Sequence, residues 1–325
     1  MGNCQAEAAP KGHLLVAAVL GCSGTRLRKV VATFPVLAIL LATVGADLAR
    51  SQHASEATAA ERVTFPSADG HTTLVGYVFR PAVESGKRVP AVVMMHGRQG
   101  AYSTGAHGVY DATTLSQRHQ FWGRFWATQG YTAVLVDGFG PRGYPQGFGR
   151  HSYDTRPDEL NEVTVRPFDA YGALAFLRSL PRVNPDRIGL RGWSNGGSAT
   201  LAAMAPDAPG LPASDPAQGF RAALAFYPAC GLKDHFAATR YQAYAPLRVY
   251  IGTADEEVSP QRCRTLLTDA GGDVRIHFYD EATHDFDDPG PRRQQLPANA
   301  EARSDVIERA RSFFAKKLGA SPGQE

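Results

Sequence analysis

Two rhythms of apolar residues run along the chain. Short apolar-rich runs at 89–95, 131–136, 187–191, 221–226, 247–252 and 273–279 alternate with longer stretches at 117–129, 160–180, 195–204, 260–270 and 301–317 that read as helices. The short runs suit strands buried in a sheet, and the alternation predicts an α/β chain: a mostly parallel sheet with helices on both faces. In the last helix Val306, Ile307, Ala310, Phe313, Phe314 and Leu318 recur at helical spacing and read as core. Ahead of these elements, 62–65 and 73–79 flank a stretch containing Asp69-Gly70, which predicts an antiparallel hairpin at the sheet edge. The Pro/Ala/Gly/Asp-rich stretch 205–219 reads as a surface loop. Insertions are short, so little or no cap is expected and the rim of the sheet should be open.

The first part of the chain has a different character. Arg26, Arg28 and Lys29 precede an apolar run at 30–46 that is interrupted by Pro35 and ends in Val44-Gly45-Ala46. That pattern predicts a cleaved export signal over 1–46, followed by a flexible polar segment at 47–61 and one domain over 62–320, with no stable membrane span once the leader is gone. A shorter apolar run at 14–20 before Gly21-Cys22 resembles a lipoprotein cleavage site, and an upstream start codon chosen in error would also account for the double leader. The formal net charge of +3 belongs to this leader: losing residues 1–46 removes Lys11, Arg26, Arg28 and Lys29 but only Glu7 among the acids, leaving none. The remaining domain thus has no positive field for nucleic acid or anionic membrane. Of the four cysteines, Cys4 and Cys22 fall in the leader, and Cys230 and Cys263 remain, able either to pair in an exported domain or to stay as buried thiols. No Cys/His spacing suggests zinc, and no metal is expected.

Candidate chemistry enters at Gly192-Trp193-Ser194-Asn195-Gly196-Gly197. The string lies between an apolar run and a helix-like run, so Ser194 stands at the apex of a strand-to-helix turn where neighbouring side chains would collide. A serine hydroxyl is a weak nucleophile unless a base takes its proton and a third group orients the base. Asp255 follows strand 247–252, and His284 follows strand 273–279. The order Ser194, Asp255, His284 is that of a triad on loops at the carboxyl ends of parallel strands. The other readings are that Asp255, like Glu256 or Glu257, serves a helix N-terminus, and that His284 lines a loop. His277 reads as structural. His96-Gly97-Arg98-Gln99-Gly100 directly follows strand 89–95, which assigns the main-chain N–H groups of Arg98 and Asn195 to an oxyanion hole, with the His96 side chain as a packed residue.

The segments HGRQG (96–100), VDGFGPRG (136–143), GWSNGG (192–197), AFYPAC (225–230), GTADEEVSP (252–260) and ATHDF (282–286) resemble, in order and spacing, the dienelactone hydrolase family of the α/β-hydrolases. The resemblance implies an α/β-hydrolase fold and hydrolysis of a carboxylic ester or lactone through an acyl-enzyme. No cofactor is needed, and a small-molecule substrate is the expected partner. This chain has Ser194 where the founding members have a cysteine, and Gly97 where they have a glutamate, so dienelactone itself is not the expected substrate. Arg142 resembles a family arginine that binds the substrate carboxylate; Tyr144, with Phe148 on the same rim, and Trp193, next to the serine, are further expected substrate contacts. Equally, Arg142 could pair with Asp137 or a nearby carbonyl. Two alternatives stay open: a peptidase or amidase on the same triad, and an inactive binding protein on the same fold.

Overall fold

The computed structural model describes residues 60–82, 87–211, 215–237 and 239–319. The leader expected at 1–46 lies outside them, as does all but the end of the flexible segment expected at 47–61. Eight strands form one sheet: β1 (Glu61–Pro66), β2 (Thr73–Phe79), β3 (Val89–Met95), β4 (Thr132–Asp137), β5 (Val183–Trp193), β6 (Ala222–Phe226), β7 (Leu247–Gly252) and β8 (Val274–Tyr279). Their order across the sheet is β1-β2-β4-β3-β5-β6-β7-β8. The hairpin β1–β2 is antiparallel and β2 runs antiparallel to β4, while all later pairs are parallel.

Every residue of β3, β4 and β6 is buried, as their near-continuous apolar sequences require in the middle of a covered parallel sheet. Pro90 sits in β3, a central strand, where a missing N–H would break the ladder. The register against β5 shifts between Val89 and Ala91, and that irregularity accommodates it.

The helices are α1 (Gln117–Thr128), α2 (Arg166–Ser179), α3 (Asn195–Ala203), α4 (Pro260–Thr268), the short α5 (Pro291–Gln294) and α6 (Pro297–Leu318). Their starts follow from local chemistry: Ser116 and Ser259 cap α1 and α4, and Pro occupies the first turn of α2, α4, α5 and α6. The sequence places a helix over 160–180, whereas α2 begins only at Arg166, because 158–160 form a separate 3-10 turn and Asn161 accepts the N–H groups of Val163 and Thr164. Trp126 of α1 meets Phe314 of α6 at 5.2 Å, and α2 packs on α3. Among the described residues no helix is long and apolar enough to cross a membrane.

Cys230, after β6, and Cys263, in α4, form a disulfide. It ties the loop behind the end of β6 to the helix that follows Asp255.

Candidate active site

β5 ends at Trp193 and α3 begins at Asn195, so the chain reverses within one residue. Ser194 holds φ 52° and ψ −116°, a left-handed setting rare for a residue with a Cβ and one that stores strain. The glycines on either side make the turn possible. A Cβ on Gly192 would lie 1.9 Å from the Gly196 oxygen, and one on Gly196 would lie 2.1 Å from the Met95 oxygen.

Ser194, His284 and Asp255 are brought into one hydrogen-bonded chain. Ser194 Oγ is 3.0 Å from His284 Nε2, and His284 Nδ1 is 2.8 Å from Asp255 Oδ2. Nδ1–H donates to the carboxylate, which leaves Nε2 as the acceptor for the serine proton. The loop after β7 grips the histidine through three consecutive acids. Asp255 uses its other oxygen to accept the N–H groups of Glu257 and Val258 at 2.9 Å. Glu256 accepts the His284 main-chain N–H at 2.9 Å, and Glu257 Oε2 lies 3.9 Å from Nε2.

Burial works against an imidazolium at 284. The hydrogen bond to Asp255 and the charges of Asp285, Asp255 and Glu257 outweigh it, so His284 titrates above its ordinary value of 6.5. A base must be neutral to accept the serine proton. The acid limb of kcat/KM is therefore expected above pH 6.5, moving to lower pH in Asp255→Asn, whose kcat should fall by about 10⁴-fold. A pH–rate profile of both proteins checks the sign: a limb in Asp255→Asn at or above that of the wild type would contradict it.

Asn195 is the first residue of α3, so its N–H is one of the amides that a helix leaves unpaired. The other expected oxyanion segment lies alongside, since a Cβ on Gly97 would be 3.3 Å from the Ser194 Cβ. The Arg98 side chain is fully engaged: Nε and Nη2 fork onto Glu257 at 2.8 Å and Nη1 donates to the Phe148 oxygen at 2.8 Å. His96 is wholly buried, with Nδ1–H donating to the Gly97 oxygen at 2.7 Å, and burial with the nearby Arg166 keeps it neutral.

Ser194 is 8% exposed, lies between two cavities, and has Arg98 and Glu257 in the walls of both. The smaller, about 220 Å³, is walled by Tyr102, Ser116, Arg118 and His119. The larger, about 720 Å³, is walled by Arg150, Tyr153, Arg156, Lys233 and Arg262. Arg98 and Glu257 stand beside the serine in both cavities, and the loop between β4 and α2 supplies Arg150, Tyr153 and Arg156 to the wall of the larger one.

Three expected substrate contacts are corrected. Arg142 forks onto Asp169 with both bonds at 2.8 Å and donates to the Gly138 oxygen at 2.7 Å. Its side chain is 7% exposed and lines neither cavity at Ser194. Asp169 lies on α2, and its wholly buried carboxylate has that cation as its ion-pair partner. Tyr144 turns away to donate to Glu159 at 3.3 Å and to pack on Phe148. Trp193, at the end of β5, is fully buried, and its Nε1–H donates to Asp287 at 2.8 Å. Arg142→Ala is accordingly expected to leave any preference for carboxylate-bearing esters unchanged and to cost about 3–5 kcal/mol in urea unfolding, because Asp169 loses its partner. A changed ester preference with unchanged stability would contradict this.

Sequence reasoning missed Arg118 and Asp285. Arg118 donates to Asp285 at 2.6 Å, to Asp288 at 3.1 Å and to the Tyr227 hydroxyl at 3.0 Å, bracing the loop that carries His284. Burial would raise the Asp285 carboxyl, but Arg118 and His284 hold it far below the usual carboxylate range. Glu257, His284 and Asp285 place three donor atoms within 4.8 Å of one another, a spacing a metal could use. Each is already committed: Glu257 to Arg98, Asp285 to Arg118 and His284 to Ser194.

An eight-stranded, mostly parallel sheet with a serine at a strand-to-helix elbow defines an α/β-hydrolase. The match of the dienelactone hydrolase family model to residues 74–318 makes the chain a member of that family, and thus a hydrolase. Solved structures agree in fold. A dienelactone hydrolase-like promiscuous phosphotriesterase from metagenomic libraries aligns with TM-score 0.56 and 18% identity over 79% of this chain and 98% of its own. Esterase 2 of Thermogutta terrifontis aligns with TM-score 0.56 and 21% identity over 82% and 97%. A puromycin-hydrolyzing peptidase of Mycobacterium tuberculosis aligns with TM-score 0.56 and 19% identity over 81% of this chain but 40% of its own.

Proposed function

We propose that this protein is a serine hydrolase of carboxylic esters or lactones. The observation that carries the reading is the relay from Ser194 through His284 to Asp255, with contacts of 3.0 and 2.8 Å. Ser194 Oγ attacks the substrate carbonyl while its proton passes to His284 Nε2. The imidazolium is held by Asp255, and the tetrahedral oxyanion takes hydrogen bonds from the main-chain N–H groups of Arg98 and Asn195. Collapse expels the alkoxide, which takes the proton from His284. Water then repeats the sequence on the acyl-enzyme and frees the acid. Two cavities meeting at Ser194 suit an ester whose acyl and alcohol parts lie on opposite sides of the scissile bond. The disulfide and the apolar leader at 30–46 support a site of action outside the cytoplasm.

The test is paired hydrolysis of p-nitrophenyl esters of graded acyl length and the matching p-nitroanilides. The expected result is ester turnover with little from the anilides. Faster anilide cleavage would move the reading to a peptidase, and turnover of neither would leave a binding protein.

A further inference from the structure

Arg166 opens α2 and is completely buried, with its guanidinium carbon 5.0 Å from the centre of the Phe139 ring. Its Nη1 donates to the main-chain oxygen of His96 at 2.9 Å and to Asn195 Oδ1 at 2.6 Å. His96 stands just before Gly97-Arg98, and Asn195 just after Ser194. One nitrogen therefore spans the two segments that supply the oxyanion N–H groups in the proposed mechanism. The Asn195 amide is also held from its other end, since Nδ2–H donates to Glu162 Oε2 at 3.1 Å. The segments touch directly: a Cβ on Gly196 would lie 2.5 Å from the His96 oxygen.

This cation is costly to keep. Nε and Nη2 of Arg166 and Oε1 of Glu162 are buried without hydrogen-bond partners among the described residues. Burial lowers the guanidinium to about 10 against the opposing charges of Asp169 and Glu162, so it stays cationic at neutral pH. Asp169 is itself forked by Arg142. Arg166 thus keeps two of its donors unpaired while the third nitrogen bridges two loops beside the serine.

We propose that Arg166 is a positioning residue for the reaction, locking both halves of the oxyanion hole in register by holding the His96 carbonyl and the Asn195 side chain together. The inference rests on the serine-hydrolase reading above. Donors aimed before the reaction stabilise the oxyanion without reorganisation, so their value depends on how firmly they are held. The guanidinium touches no substrate and acts through the peptides it fixes.

The test compares wild type, Arg166→Met, Asn195→Ala and the double variant, each normalised by active-site titration. Asn195→Ala keeps the main-chain N–H but removes the anchor, and it carries the test if Arg166→Met does not fold. Each single variant is expected to lose about 10- to 100-fold in kcat with KM within about threefold, and the double variant to be little worse than the poorer single one. Arg166→Lys should restore part of the loss. A trifluoromethyl ketone adds to Ser194 as its proton passes to His284, turning the carbonyl oxygen into an oxyanion. Its affinity should fall in step with kcat/KM, while that of the matching methyl ketone holds. Unchanged kcat, equal weakening of both ketones, or additive losses in the double variant would overturn the proposal alone. A wild type that reacts with neither ester nor trifluoromethyl ketone would overturn the hydrolase reading and this inference with it.

Discussion

Ser194→Ala is expected to lower ester turnover by about 10⁴- to 10⁶-fold, since removing the nucleophile of a serine triad disables the other members with it. Only one oxygen is lost, and the β5–α3 turn keeps its glycines, so the thermal midpoint should stay within a few degrees of wild type. His284→Ala should fall to a similar floor, and the double variant should be no slower than either single one. The check is kcat on the preferred ester alongside a melting curve. A Ser194→Ala protein that keeps a tenth or more of wild-type turnover would place the chemistry elsewhere.

Asp287→Ala is expected to cost about 3–5 kcal/mol of stability, because its removal strands a buried cation. The carboxylate is fully buried and accepts the indole N–H groups of Trp122 at 2.7 Å and Trp193 at 2.8 Å, the Tyr227 hydroxyl, and Arg191 at 3.4 Å. Arg191 lies 3.4 Å from the Trp122 ring centre and 4.1 Å from that of Phe226, with Nε and Nη1 unpaired among the described residues. Without Asp287 the guanidinium loses its counter-charge and the two indoles lose their acceptor, each a desolvated group left unsatisfied. The Tyr227 ring packs 4.6 Å from that of His284, so activity should fall as well. Urea unfolding at neutral pH measures the loss; one below about 1 kcal/mol would contradict the account.

Both effects bear on what the sequence reveals. The strands were legible because a covered parallel sheet demands unbroken apolar runs, as in Ala222–Phe226. Ser194, Asp255 and His284 were legible because each loop follows directly on a strand, so local order fixes position. β5 runs from Val183 rather than from 187, because pairing with Val89 recruits a polar stretch that has no strand pattern of its own. Arg142 points the other way. Its loop gives no sign of Asp169, which lies 27 residues on and takes the fork that a substrate would need. Trp193 adjoins the serine in the chain, but the elbow reverses the backbone after it and leaves its ring in the core on Asp287. Arg118 is 167 residues from Asp285, and no spacing rule links them. The Arg98–Glu257 pair beside the serine was equally hidden, since it joins two loops 159 residues apart.

The central claim is that Ser194 is the activated nucleophile of this fold. The most direct measurement is the intact mass of the native protein after treatment with a fluorophosphonate, with the modified peptide then sequenced. The account predicts one adduct per chain, on Ser194, slowed strongly in His284→Ala and absent in Ser194→Ala. Unmodified wild-type protein, or an adduct that persists in Ser194→Ala, would contradict it.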